Sequence, residues 1–371
     1  MNRLIQFFKQ NKSPLVYIKV IITFIILLVG FHGTIWNLYT KELLRPSYPF
    51  YAGDLSRISY QASSLHLRKV KDITLSKKHI NMYNYKGEPA TIITIGDSFS
   101  DGGAKGKNAF YQDYISSKYD INILNILPKD TDTDFIKIII TLLENNLLHE
   151  MKTKVIILES IERYAIKRFS SDINWNNFES KKEFFQRFKN PIKKQYKESG
   201  ITFINNGNYK YISNTLLYNL STSPYLYKHI YQADLEIPLF TVRADDSLLF
   251  YYEDVKNIPN STQANLERLN LNLNYLAKRL NEHDIRLVFM PVVDKYNLYY
   301  PYIKDNNLPK SKFFELLEPL EKEYYFVNTK ILLRDLLPQT KDLYYADDTH
   351  WNYTASQHII QSIPFKELLQ E

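Results

Sequence analysis

The chain has 371 residues, no cysteine and a formal net charge of +7. That length buries a full core and exceeds an average domain, so one large domain with appendages is expected. The lack of cysteine excludes disulfides and thiolate metal sites. Between residues 1 and 46, Arg3, Lys9, Lys12, Lys19, Lys41 and Arg45 stand against Glu42 alone. The basic excess therefore flanks an apolar stretch and is not a nucleic-acid footprint.

Leu15 to Trp36 is that apolar stretch, with Lys19 as its one charge, close enough to the entering end to snorkel. The preceding basic residues place the N-terminus in the cytoplasm and the remainder outside, in the periplasm. The exit reads Gly-Phe-His-Gly-Thr-Ile-Trp, without the small-residue pattern of a cleaved leader, so an uncleaved single-pass anchor in the cytoplasmic membrane is expected. The organisation predicted is a cytoplasmic tail over 1–14, an anchor over 15–37 and a stalk over 38–89. A domain over 90–371 follows, with an insertion at about 165–245.

Ala90–Ile95 is a β-branched apolar run that predicts a buried parallel strand, and it stops at Gly96-Asp97-Ser98. Asn108–Lys118 predicts a short helix, 119–127 a second strand, Thr133–Glu150 a helix by its apolar spacing, and Lys154–Glu159 a third strand. This β-α-β-α-β order argues for a doubly wound parallel sheet of the α/β class. The insertion contains Lys181–Lys197, a basic run with interleaved aromatics whose plainer reading is a solvated segment that packs its rings inward. Asp246–Asp254 predicts a strand leading back to the main fold. Thr262–Asn281 then predicts a helix, Ile285–Val293 a fourth strand, Phe313–Glu323 a helix, Tyr325–Asn328 a fifth strand, and Thr354–Ile363 the closing helix.

The chemistry-bearing residues fall at strand ends. A strand ending in Gly-Asp-Ser puts the Ser98 hydroxyl at the carboxyl edge, where open α/β sheets bind ligands. Serine is weak at its own pKa and needs a base held by an orienting group. Asp347-Asp348-Thr349-His350 offers both, just before the closing helix. Alone, Gly-Asp-Ser is an ordinary turn, and the preceding strand and the distal Asp-x-His give it weight. Glu159–Arg163 follows the third strand. Arg163 is a candidate for a substrate carboxylate or for bracing the site, and its plainer reading is a surface pair with a glutamate. Lys295, after the fourth strand, is read equally as a substrate contact or as a strand end. Asn125 and Arg163 are the side chains considered for a second oxyanion donor, beside the Ser98 backbone N–H. The eight histidines show no metal spacing, no Gly-x-Gly-x-x-Gly or Walker loop occurs, and neither a cofactor nor a metal is expected.

Taken together, the Gly-Asp-Ser block and the Asp-x-His near the end resemble the SGNH-hydrolase superfamily. Gly96–Ser100, then Met290–Lys295, then Asp348-Thr349-His350-Trp351, resemble its AlgX/AlgJ-like branch of exported or membrane-anchored polysaccharide O-acetyltransferases over about residues 90–365. Two departures are visible. The Gly-x-Asn-Asp block of the esterases is missing, with Glu159–Arg163 in its place, and no separate carbohydrate module precedes the domain. The resemblance implies an SGNH-like fold with Ser98 as nucleophile, His350 as base and Asp348 as orienter, with Asp347 as the alternative. It further implies a polysaccharide acceptor and an acyl donor delivered by a polytopic membrane acyltransferase. A carbohydrate esterase of the same triad and a non-catalytic envelope assembly factor are the alternatives.

Overall fold

In the computed structural model, residues 14–45, 50–60, 68–69, 73–103, 108–129, 134–189, 202–220, 225–226, 229–242 and 245–370 are described. Residues 1–13 of the expected tail and 190–197 of the basic aromatic run lie outside these. The apolar stretch is a helix, α1 (Pro14–Ile35), which continues without a break through Thr40. Among the described residues it is the one helix long and apolar enough to cross a membrane, and most of its residues are exposed. His32, Trp36 and Thr40, spaced on one face of its last turns, are buried. A short helix, α2 (Asp54–Ser59), follows.

Six strands form the central sheet: β1 (Ile80–Asn81), β2 (Ile92–Ile95), β3 (Ile123–Ile126), β4 (Val155–Ile161), β5 (Arg286–Val292) and β6 (Tyr325–Phe326). Their order is β6-β5-β4-β2-β3-β1, and every neighbouring pair is parallel. Every residue of β2, β3 and β4 is buried, as expected of a parallel sheet covered on both faces. This is why these strands read as mostly Ile/Val/Leu and not as alternating, with Thr94, Asn125, Glu159 and Ser160 as their buried polar residues. Between them run α3 (Tyr111–Tyr119), α4 (Asp134–Glu144) and α5 (Glu162–Phe169).

The inserted region adds a helix, α6 (Asn206–Leu220), and a separate antiparallel sheet of Tyr225–Leu226, Ile230–Asp234 and Ser247–Tyr251. The main fold resumes with α7 (Gln263–Asn281) and ends with α8 (Tyr353–Ser362) and a last short helix, Phe365–Leu369, that buries Phe365 in the core. In α7, Leu266, Leu269, Leu273, Leu276 and Leu280 are all buried, and the Thr262 hydroxyl accepts from Asn265 N at 3.3 Å to cap its start.

Two sequence expectations change. The stretch 38–89 is not only a stalk: β1 adds the outer strand of the sheet, and α2 packs against the loop ahead of α8. A two-residue edge strand has too little pattern to read. The strand expected at 246–254 forms over Ser247–Tyr251 but pairs within the small antiparallel sheet. In the basic run, the helix Lys181–Lys189 buries Phe184 and Phe188 in the main core, so its rings do face inward.

The sheet also fixes where a site belongs. The chain leaves β2 for β3 on one side, then returns to place β4 on the other side of β2. Such a reversal opens a crevice at the carboxyl ends of the two strands. Gly96-Asp97-Ser98 lies at that end of β2.

Candidate active site

The turn after β2 is built to expose one hydroxyl. Ser98 is exposed, while Asp97, Phe99 and Ser100 around it are buried. Gly96 is obligatory there, because a Cβ would fall 2.0 Å from Ser100 Oγ and 2.3 Å from Glu159 Oε2. The turn is pinned to the end of β4. Glu159 Oε2 accepts from Asp97 N at 2.9 Å and from Ser100 Oγ at 2.8 Å. Asp97 Oδ2 accepts from Arg168 at 2.6 Å and from Ile161 N at 2.9 Å.

The charges in this cluster divide cleanly. Burial works against an ionised Asp97, but the Arg168 guanidinium and the Ile161 N–H outweigh it and hold the carboxyl below its usual range. Burial, with Asp97 beside it, pushes Glu159 well above the usual carboxylate range. Among the described residues its Oε1 has no hydrogen-bond partner.

His350 arrives from the far end of the chain. Its Nε2 lies 2.8 Å from Ser98 Oγ and its Nδ1 lies 2.6 Å from Asp348 Oδ1. The carboxylate fixes the tautomer, with Nδ1–H donating to Asp348 and Nε2 free to accept from the serine. Phe99 packs against the imidazole at a centroid distance of 4.6 Å. Burial alone would depress His350; the Asp348 carboxylate, and then Asp54 and Asp97, outweigh it and hold the base above its ordinary value of 6.5. The Ser98 N–H has no partner among the described residues.

Of the two acids, Asp348 contacts the imidazole, whereas Asp347 Oδ2 accepts from Gly53 N at 2.6 Å and holds the loop instead. The other residues singled out from sequence are structural. Arg163 is buried between Asp254 and Asp294, at 3.0 and 2.6 Å, so it is neither a surface pair nor aimed at a substrate. Lys295 is buried and donates to the carbonyls of Tyr345, Ala346 and Asp348 at 2.7, 2.9 and 3.1 Å. It thus supports the histidine loop from beneath, and burial lowers its pKa to about 8 against the pull of Asp347 and Asp348. Asn125 is buried in β3, donating to Ser100 O at 2.8 Å and accepting from Thr94 Oγ1 at 2.9 Å. With an amide N–H turned onto the Ser100 carbonyl and the side chain wholly buried, it is not placed as an oxyanion donor.

Three contributors were not singled out by sequence: Glu159 and Arg168 as braces, and Asp54 beside the imidazole. Asp54 Oδ2 lies 3.7 Å from His350 Nδ1. Asp54, Asp348 and His350 together present ligand-type atoms within 4.8 Å of one another. Those atoms are engaged in hydrogen bonds, Nδ1 to Asp348 and both Asp54 oxygens to Thr349. The arrangement is that of a relayed base, and what it can do is draw a proton from an exposed hydroxyl. No family model, no curated protein and no solved structure matches the chain.

Proposed function

We propose that this is a membrane-anchored, extracytoplasmic serine O-acetyltransferase of the SGNH type, acting on a cell-envelope or secreted polysaccharide. The observation that carries the chemistry is the continuous relay from Ser98 Oγ through His350 to Asp348, with the nucleophile exposed at the reversal of a parallel sheet. The resemblance of Gly96–Ser100, Met290–Lys295 and Asp348–Trp351 to the AlgX/AlgJ-like branch supports the acceptor class, and α1 supports a membrane setting.

In this reading Ser98 Oγ attacks an acetyl carbonyl as His350 Nε2 takes its proton. Asp348 stabilises the imidazolium, and the Ser98 N–H donates to the oxyanion. The tetrahedral intermediate collapses to acetyl-Ser98, and the departing alcohol or thiol of the donor takes the proton from Nε2. A sugar hydroxyl then attacks the acyl-enzyme with its proton going to Nε2, and Ser98 Oγ leaves with that proton. Outside the membrane the acetyl group has to be delivered by a polytopic membrane acyltransferase. Water in place of the sugar gives the esterase reaction through the same steps.

The test is the full-length protein in detergent with p-nitrophenyl acetate, with and without oligosaccharide acceptors, beside Ser98→Ala. Serine-dependent nitrophenol release with acetyl found on the sugar upholds the reading. Serine-dependent release of acetate alone replaces it with the esterase. Release that persists in Ser98→Ala removes the triad from the account.

A further inference from the structure

We propose that Asp54 is a positioning residue of this triad, supplied by the helix that joins the membrane anchor to the domain. The proposal rests on the serine acyl-transfer reading above and adds a residue to it. The first observation is how tightly α2 grips the histidine loop. Gly53 N donates to Asp347 Oδ2 at 2.6 Å, and Leu55 N and Ser56 N donate to Asp347 O at 3.1 and 3.3 Å. The approach is so close that a Cβ on Gly53 would fall 1.8 Å from Asp347 O.

The second observation is what Asp54 holds. Its Oδ1 accepts from Thr349 N at 2.8 Å and its Oδ2 accepts from Thr349 Oγ1 at 2.5 Å, while its own N–H donates to Asp348 Oδ2 at 3.3 Å. Thr349 lies between the orienter and the base in the chain, so one side chain fixes the peptide that carries both. The third is charge. The Asp54 carboxylate stands 3.7 Å from His350 Nδ1, too far for a good hydrogen bond but close enough to favour the imidazolium. Among the described residues, Asp348, Asp54, Asp97 and Asp101 are the acids set against His350, and of these Asp54 comes from outside the sheet domain predicted from sequence.

The same helix is tied to the membrane end of the molecule. Ser59 O, in α2, accepts from Asn214 Nδ2 of α6 at 2.9 Å. Asn208 of α6 in turn lies 2.8 Å from His32 Nδ1 of α1 and bonds Thr40, while Tyr209 stacks on Phe31. The anchor, α6, α2 and the triad are thus one chain of packed contacts.

The test uses full-length protein in detergent and the pH dependence of p-nitrophenyl acetate hydrolysis for wild type, Asp54→Asn, Thr349→Val and Ser98→Ala. Asp54→Asn is expected to lower kcat/KM by about tenfold or more, chiefly in kcat, as loss of a group that orients a reacting residue does. It is also expected to move the acid limb of the profile to lower pH by about half a unit or more, because His350 loses a neighbouring negative charge. Thr349→Val keeps that charge, so it lowers the rate and leaves the limb in place. A merely structural role for Asp54 would not shift the limb. Asp54→Asn with the wild-type rate and profile, beside an inactive Ser98→Ala, overturns this proposal and leaves the triad standing; an active Ser98→Ala overturns the triad itself. Should Asp54→Asn fail to fold, Thr349→Val decides: an unchanged melting temperature with about a tenfold loss upholds the grip on the loop, and the wild-type rate overturns it.

Discussion

Gly103→Ala is the substitution that presses hardest on the geometry. Gly103 follows the nucleophile turn, and its N–H donates to Ser98 O at 2.7 Å. A Cβ built there falls 2.2 Å from His350 Nε2, 2.6 Å from Cδ2 and 2.7 Å from Cε1. Comfortable contact needs about 3.5 Å, so the imidazole or the turn has to retreat by about 1 Å. The ring cannot turn aside without cost, since Nδ1 is held at 2.6 Å by Asp348 and one face packs on Phe99. The 2.8 Å contact to Ser98 Oγ is therefore what gives way. Gly103 is not in the left-handed region, unlike Gly87 and Gly102, so the methyl group adds no backbone strain and the effect is steric. A displacement of about 1 Å between reacting groups costs about 100-fold in rate. The assay is kcat/KM for p-nitrophenyl acetate with a thermal melt alongside. A loss of about 100-fold at an unchanged melting temperature is expected; wild-type activity in Gly103→Ala would refute the placement of His350 Nε2 against Ser98.

Asp348→Asn should keep the fold by circular dichroism yet lose about 10,000-fold in kcat, because the amide favours the wrong imidazole tautomer. Since His350 is held above 6.5 and the proposed mechanism needs it neutral, kcat/KM should rise with pH through a midpoint above 6.5, measurable as the acid limb of the profile. The linked stability has the opposite trend: what the imidazolium gains from Asp348 is fully present below the unfolded value and is lost as pH rises through the raised folded one. Arg168→Met leaves the Asp97 carboxylate buried and unpaired, and denaturant titration should show a loss of about 3–5 kcal/mol. Glu159→Gln replaces a carboxyl whose pKa burial and Asp97 push up with an uncharged amide of the same shape, so the same titration should move by about 1 kcal/mol or less.

The sheet and the two ends of the relay were legible for a physical reason. A strand buried on both faces is mostly apolar, and a nucleophile at its end has to sit in a short polar turn, so Ile92–Ser98 carries its own signal. Asp348-Thr349-His350 is legible because two residues of spacing let the carboxylate of Asp348 reach the ring beside it. Charged residues near strand ends were a different matter. Arg163 and Lys295 carry the right chemistry at the right edge, but only tertiary packing shows that Asp254 and Asp294 hold the Arg163 guanidinium and that the carbonyls of the histidine loop take up the Lys295 ammonium. Asn125 was obscured in the same way, its amide turned onto Ser100 O. Asp54 could not be read at all: it lies on a six-residue helix, and its partner Thr349 is 295 positions away.

The central claim is that Ser98 carries the acyl group, and trapping that intermediate tests it most directly. Full-length protein mixed with p-nitrophenyl acetate would be quenched in acid within the first turnovers, digested, and mapped by mass spectrometry. An acetyl group on the peptide holding Ser98, absent from Ser98→Ala and scarce in His350→Ala, is the expected result. Nitrophenol release with no acetyl on Ser98, from protein with a native melting curve, would contradict the account.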